Sequence, residues 1–526
     1  MSDSGNSTKH AYTSPPPFAE TFDYIVIGAG SAGSACAARL ALESDARVLL
    51  LEAGGGDDIP EIHTPNLWLN SHNTRATKFF TTMEQHKVDG RAHVWPRGHV
   101  LGGSSSINAM IYARGHRSDY DSWVEQGNPG WGYDDVLPLF KEIEDYEGGE
   151  SRYRGIGGPL HISQPSPAMR HPGAVAFMQA CSNLGFRENP DCNGERLEGQ
   201  TWMNLTVKDS RRQSAAVAIL KPAMTRENLV ILTDAPVVSL ILDGNYCKGV
   251  RYLHGDVLVS AFASSEVILS AGAIDSPRIL MQSGIGPAED LASIGISPKA
   301  DLPVGKGLQD HPLGAGCNYQ AKGPVPQSHY NYSEVYMWEK SQGDLPAPDM
   351  VALYVSIPFA SSGFTLPPGE GYAILSGVPR PHSRGELKLV SSDPTVPPRI
   401  DPNYFGDERD WHSFRLATEL CRDIGADRAY DEFRKEEVLP GGGKLTDAEW
   451  RQFLAKSVST FFHPVSTCRM GVDETAVVDP QLRVYGVEGL RVADASIMPS
   501  ITTTNTNAAS ILIGWKCARM ILQDWR

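Results

Sequence analysis

The apolar positions of the chain fall into short runs closed by glycine, proline or an acidic residue. Residues 23–28, Asp-Tyr-Ile-Val-Ile-Gly, are continuously apolar rather than alternating, which predicts a strand buried on both faces, as in a parallel sheet. Residues 34–42 are rich in alanine and predict a helix of small side chains, and residues 47–51 predict a second buried strand that stops at Glu52. Strand-like runs recur at 228–233, 237–242, 248–252 and 266–270, the pattern of a small antiparallel layer appended to that core. Residues 320–400 are denser in proline, glycine, serine and aromatic residues, a shift that predicts a second, substrate-facing domain. Residues 406–456 read as helical, with GGGK at 441–444 dividing two helices.

Between the first strand and the first helix lie Gly28, Gly30, Ser31, Ala32 and Gly33. Gly28 permits a tight turn, Gly30 lets backbone approach a pyrophosphate, and Gly33 lets helix pack close on strand. The free N–H groups and positive dipole end of the helix then face the phosphates. Glu52, followed by Ala53, ends the second strand, where a carboxylate accepts from ribose hydroxyls and disfavours a 2′-phosphate. The motif alone leaves NAD and FAD open; its place near the start of 526 residues leans to FAD.

Composition narrows the class. A length of 526 residues predicts more than one domain, and 41% hydrophobic with 21% charged residues is ordinary for a folded globule. The formal charge of −15 argues against nucleic acid or an anionic membrane as the main partner. No run of apolar residues is long enough to span a bilayer, and the polar, proline-tipped residues 1–20 predict a disordered tail without a signal core. These features predict a cytoplasmic protein. The eight cysteines show no C-x-x-C pairing and no zinc-like spacing with histidine, so reduced thiols and no metal site are expected.

Two further segments carry candidate chemistry. In LGGSSSIN at 101–108, paired glycines allow close backbone approach, and the hydroxyls and Asn108 can bond a polar ring or a phosphate. Towards the end of the chain, His463 precedes a proline and is biased to extended or turn geometry. A strand ends at Asp494, and Asn505-Thr506-Asn507 opens the last helix, whose free N–H groups favour an electron-rich ring or an anion.

Taken together, these blocks resemble the glucose–methanol–choline (GMC) oxidoreductases from about residue 21 to the end. The resemblance is carried by GAGSAG with Glu52, LGGSSSIN, AGAIDSPRILMQSGIG at 271–286, GLQDHP at 307–312, and HPVSTCRMG, VADASIMP and NTNA at 463–508. It implies an α/β fold with a Rossmann-like FAD domain in separated segments, 21–155, 205–310 and 457–526. An α+β substrate domain, 156–204 and 311–456, would lay an antiparallel sheet over the flavin. By position, His463 matches the family's active-site histidine and Asn505 its partner. Gly28, Gly30, Gly33, Glu52 and Ala53 would hold the ADP half, and Val237 would meet adenine. Leu101, Gly103, Ser104, Asn108, Ala109, Met110 and Ile111 would line the pyrophosphate and ring, with Asp494, Thr506 and Asn507 at the ribityl chain and flavin edge.

Departures from the family pattern refine the expectation. Some members attach FAD through a histidine where this chain has Ile107, so noncovalent FAD is expected. His99 stands where Arg, Lys, Asn or Cys is usual. Choline oxidases carry a carboxylate after D-H-P, whereas Leu313 follows here, and a trimethylammonium beside leucine would be buried unmatched. Trp68, Tyr332, Tyr354 and Phe462 would form an aromatic wall. The expected reaction is oxidation of a neutral primary alcohol (aromatic, furanic or aliphatic), with His463 taking the hydroxyl proton and hydride passing to the flavin. Dioxygen or a quinone-type carrier would be the electron acceptor, and the protein a monomer or homodimer. The alternatives are a hydroxynitrile-type lyase that keeps FAD without net redox, and a choline-type dehydrogenase.

Overall fold

The computed structural model describes residues 20–366 and 369–524, so the expected tail lies outside the described residues except for Glu20. Two sheets organise the chain. The first has seven strands, in the order Leu229–Leu232, Val48–Leu51, Thr21–Ile27, Val257–Leu269, Tyr246–His254, Val237–Asp243, with Leu490–Val492 also paired to Val257–Leu269. Its hub is the long strand Val257–Leu269. The early part pairs antiparallel with Tyr246–His254, and the late part pairs parallel with Thr21–Ile27 and Leu490–Val492. The antiparallel layer is therefore continuous with the parallel core. Residues 257–265 did not read as strand because the opening Val-Leu-Val gives way to alanine and serine, with Phe262 the one large side chain among them; the apolar end at 266–269 did.

The register sets the position of the site. Ile27 lies beside both Leu51 and Leu269, and Leu269 beside Val492, so these parallel strands end in line. Gly28, Glu52, Ser270 and Asp494 consequently gather at one edge, the carboxyl end of the sheet, where open α/β sheets bind ligands.

The second sheet has eight strands, all antiparallel where paired. The main order is Arg434–Leu439, Cys317–Ala321, Gly371–Gly377, Met350–Val355, Val335–Glu339, Gly199–Trp202, with Pro312–Gly314 joining Gly371–Gly377 to Val458–Thr460. One face packs on the helices Pro172–Asn183 and Glu408–Ala426 through Phe177, Tyr319, Tyr354 and Ile424. The other face carries Leu313, Tyr336, Leu353, Val355 and Leu375. The helical reading of 406–456 holds for Glu408–Ala426 and Asp447–Ser457, but Arg434–Leu439 between them is a strand. It is a charged edge strand, and its polar sequence, RKEEVL, hides it from apolar periodicity. Among the described residues, no helix is long and apolar enough to cross a membrane.

The helix Ser31–Glu43 is buried through its small residues and packs on the final helix, Asn507–Asp524. The contact is close. A Cβ on Gly514 would lie 1.9 Å from the carbonyl oxygen of Ala32, in the first turn of Ser31–Glu43. Gly514→Ala must therefore push the two helices apart, and should lower stability by about 1–3 kcal/mol, the usual cost of overpacking. Denaturant unfolding of the purified variant checks this; a parental midpoint would contradict the close contact.

Candidate active site

The carboxyl edge of the first sheet and the apolar face of the second enclose one cavity of about 370 Å³. At its first end, Gly28 has φ +96°, and a Cβ there would meet the Ser270 carbonyl at 2.6 Å. A Cβ on Gly30, by contrast, would find only Gly103 Cα, at 4.0 Å, so the backbone above Gly30 is open to a ligand. The helix Ser31–Glu43 starts there without a side-chain cap and without an acidic residue in its first turn, leaving its N–H groups and dipole facing the opening. Ser31 Oγ donates to Asn507 Oδ1 at 2.7 Å, tying this helix to the start of the last one.

Glu52 is 6% exposed and accepts N–H bonds from Ala29 and Gly54, each at 2.8 Å. Burial nevertheless pushes its carboxyl up to about 7. Asp494 is likewise buried. It accepts from the N–H groups of Gly272 and Ser496, both at 2.8 Å, and from Ser276 Oγ at 2.5 Å, and burial raises its carboxyl as well. Further along, Arg97 donates to Ser104 Oγ at 2.9 Å and to the Phe462 carbonyl at 2.8 Å. Asn108 Oδ1 accepts from Arg212 at 2.7 Å.

At the other end stands His463. Its Nε2 is 3.2 Å from the Asn505 amide nitrogen, and its Nδ1 is 3.0 Å from His311 Nδ1. An amide nitrogen only donates, so His463 Nε2 bears the lone pair. The His463 proton is then on Nδ1 and donates to His311 Nδ1, which leaves the His311 proton on Nε2, towards the carbonyls of Pro379 and Thr502. Burial pushes His311 down to about 3 and holds His463 well below the ordinary histidine range. The neighbouring His311 and the Arg97 cation add to the depression at His463. The arrangement is a neutral imidazole with its basic nitrogen beside an amide donor, suited to accepting a proton from a hydroxyl.

His463 is itself held by Asp310. This carboxylate is 4% exposed and accepts from the His463 N–H at 2.8 Å, from Thr460 Oγ at 2.6 Å and from the Tyr404 hydroxyl. Phe462, between Thr460 and His463, sits at φ +67°, a conformation that such a residue adopts only under constraint.

Most of the expected site residues line this cavity. Gly28, Gly30, Ser31, Ala32, Glu52 and Ala53 lie at one end; Gly103, Ser104, Asn108, Ala109, Ile111 and Val237 border the middle. Asp494, Asn505, Thr506, Asn507 and His463 follow, with Trp68, Leu313, Tyr332 and Phe462 around the remaining wall. Gly33 supports the wall from behind, since a Cβ on it would meet the Gly28 carbonyl at 1.8 Å. Leu101 and Met110 are buried in the surrounding cores and do not border the cavity. Tyr354 is a correction. It alternates with Leu353 and Val355 along its strand, so it points to the opposite face of the sheet, where its hydroxyl lies 3.3 Å from His171 Nδ1. Sequence reasoning missed Arg97, Asp310, His311, Ser333 and Tyr336; for Asp310 and His311 the block GLQDHP was a signal, noted without a role.

Comparison with known proteins agrees with the geometry. The sequence model described as GMC oxidoreductase matches residues 22–313 in its N-terminal part and 381–514 in its C-terminal part. The chain is 40% identical to human mitochondrial choline dehydrogenase, over 95% of this chain and 90% of that protein. It is 39% identical to the oxygen-dependent choline dehydrogenase of Sinorhizobium fredii, over 95% of each. Among solved structures, pyridoxine 4-oxidase from Mesorbium loti superposes with a TM-score of 0.92 at 38% identity, covering 95% of this chain and 99% of that one. Formate oxidase from Aspergillus oryzae follows with 0.88 at 27%, covering 97% and 99%. The chain belongs to the GMC oxidoreductase family, whose members bind FAD.

The residues present fit that cofactor: an uncapped helix start for a pyrophosphate, an open backbone at Gly30, and Glu52 for a ribose. The raised Glu52 has a consequence for pH. Without the cofactor, the folded protein favours the protonated acid, so its stability declines as pH rises towards 7. Ribose hydroxyls donate to the ionised form, so FAD affinity should rise between pH 6 and 8, by up to about tenfold per unit below 7. Titrating apoprotein with FAD at several pH values checks this; Glu52→Gln should flatten the dependence, and an unchanged slope in that variant would assign it to another group.

Proposed function

We propose that this member of the family oxidises a neutral primary alcohol (aromatic, furanic or aliphatic) to the aldehyde, with noncovalently held FAD. The observation that carries the reading is the His463–Asn505 pair at the apolar end of the cavity, with the lone pair of a neutral imidazole on Nε2. The alcohol O–H donates to the Nε2 lone pair in place of the Asn505 N–H, which lies 3.2 Å from Nε2 and on binding turns to the alcohol oxygen, orienting it without adding charge. FAD supplies the acceptor for the carbinol hydride. As the carbon–hydrogen bond breaks, His463 takes the hydroxyl proton, a contribution of roughly 10²–10⁴-fold for a placed base. The lowered basicity of the imidazole keeps it unprotonated at neutral pH, so its Nε2 lone pair stays available to the hydroxyl proton. Dioxygen or a quinone-type carrier would take the electrons onward, and a monomer or homodimer is expected.

A choline-type reading is favoured by the choline dehydrogenases among the relatives. The cavity argues against it. Its acidic lining residues are Glu52, Asp275 and Asp494, and each is engaged: Glu52 and Asp494 by backbone N–H groups, Asp275 by Arg278 at 2.6 Å. The wall near His463 offers Leu313, Phe461 and Phe462 instead. Aromatic faces attract a cation, yet a quaternary ammonium there would have no carboxylate partner. The noncovalent reading rests on Ile107, which borders the cavity in place of an attaching histidine.

Anaerobic addition of benzylic, furanic, aliphatic and choline alcohols to the holoenzyme, followed by air, tests the reading through flavin absorbance. A neutral alcohol should bleach the flavin and choline should not; the reverse order would establish the choline-type reading. Acid precipitation of the same protein should release the flavin into the supernatant, and colour retained in the pellet would overturn noncovalent attachment.

A further inference from the structure

Behind the cavity wall lies a cation that no carboxylate meets. Arg212 follows the turn Asp209-Ser210, both residues at positive φ, in the hairpin of Val207–Lys208 and Arg211–Arg212. It is fully buried, and its guanidinium donates to three neutral oxygens. These are the Ile62 carbonyl at 2.6 Å, the Ser105 carbonyl at 3.1 Å and Asn108 Oδ1 at 2.7 Å. Among the described residues Arg212 forms no ion pair; burial alone pushes it down to about 9, so it stays charged at neutral pH. Burying a charge without an opposite one is costly.

Asn108 connects that cation to the cavity, which it borders while half-buried. Its Oδ1 accepts from Arg212 and also from the Met110 N–H, at 2.9 Å. Met110 is held at φ +59°, and its carbonyl accepts the Thr206 N–H of the same hairpin at 2.8 Å. Two donors on one oxygen fix the orientation of the amide, since the reverse would set N–H against N–H. The amide nitrogen is thus turned from Arg212 towards the cavity, and among the described residues no acceptor takes its N–H groups. The turn that carries Asn108 also stands against the start of the first helix: a Cβ on Gly103 would meet Gly30 Cα at 2.6 Å.

We propose that Arg212 is a positioning residue for FAD: from behind the wall it pins and polarises the Asn108 amide, whose N–H groups donate to the pyrophosphate of the cofactor. The inference goes beyond the alcohol reading, because it concerns how the cofactor is held whichever substrate is oxidised. Three features favour an anion at this place: the uncapped start of Ser31–Glu43, an amide that shows only donors, and the unmatched cation behind it. An oxidised flavin ring is neutral, so the pyrophosphate carries the standing charge of the cofactor. Arg212 does not border the cavity and acts through Asn108 and the Ser105 carbonyl of the turn. In a low-dielectric interior such linked hydrogen bonds strengthen one another.

The test titrates apoprotein with FAD, followed by flavin fluorescence, for the parent, Asn108→Ala, Arg212→Met and the double variant. Asn108→Ala should weaken FAD binding by about tenfold or more, as expected for a lost hydrogen bond to a charged group. In the Arg212→Met background the same substitution should cost less than about threefold, because the amide is no longer pinned. Arg212→Lys keeps the charge and a donor and should restore most of the dependence on Asn108. Costs that multiply independently, or parental affinity in Asn108→Ala, overturn the proposal. ADP-ribose, which has the pyrophosphate without the flavin, should show the same pattern; a pattern confined to FAD would place the amide at the ring and overturn the pyrophosphate assignment. Should Arg212→Met not fold, Asn108→Asp decides. It keeps the shape beside Arg212 but turns an acceptor to the cavity, so FAD should bind at least about tenfold more weakly, and parental affinity overturns the proposal. These readouts are independent of turnover, so the positioning role and the alcohol reading fail separately.

Discussion

The reactive end of this protein depends on one buried carboxylate. Asp310 receives the backbone N–H of His463 and the hydroxyls of Thr460 and Tyr404. Thr460 in turn accepts the Phe462 N–H at 2.7 Å, and Arg97 donates to the Phe462 carbonyl. Phe462 is therefore bonded at both ends of its residue while its backbone stays left-handed, a conformation that costs about 1–3 kcal/mol and persists only where its surroundings over-determine it. The constraint turns the chain so that His463 faces Asn505 and His311 rather than continuing the strand Val458–Thr460. Asp310 touches none of the reacting atoms in this scheme; it positions the residue that does.

Electrostatics follow from the same burial. An exposed histidine would share its proton with water near neutral pH; His463, enclosed and beside Arg97 and His311, stays neutral because the cation would be desolvated and repelled. Arg97 is pushed down to about 10 by burial and remains charged. At the opposite end, the same enclosure raises Glu52 and Asp494, which need polar donors to ionise fully. One end of the cavity thus offers carboxyls and free N–H groups to hydroxyl and phosphate groups, and the other a neutral imidazole among apolar side chains.

Much of the fold was legible in the sequence because backbone requirements leave local traces. Gly28, Gly30 and Gly33 announce a turn, an open approach and a close packing, and Glu52 follows a strand whose apolar run is unbroken. The segments 257–265 and Arg434–Leu439 were not legible, since the first passes from Val-Leu-Val into alanine and serine and the second is a charged edge; pairing rather than composition makes them strands. His463 and Asn505 could be matched by motif, but their contact joins residues that are 42 positions apart and needed the fold. Tyr354 shows the limit in another way. An aromatic residue in the substrate-facing segment suggests a wall, but a period of two along the strand decides which side it serves, and Leu353 and Val355 took the cavity side. Asp310 and Arg97 carry no local signal of their role, because both act through backbone atoms of Phe462 and His463.

The central claim is that a neutral His463 takes the alcohol proton as hydride leaves. It is tested most directly by the rate constant of anaerobic flavin reduction, measured from pH 6 to 8 with the alcohol that bleaches the flavin fastest, in the parent and in His463→Ala. With the imidazole already neutral throughout this range, the parental rate should stay level, losing activity only at lower pH as the depressed histidine gains its proton. His463→Ala should slow the step by roughly 10²-fold or more while the flavin remains bound. A parental rate that rises with loss of a proton between pH 6 and 8, or a variant that reduces at nearly the parental rate, would contradict the account.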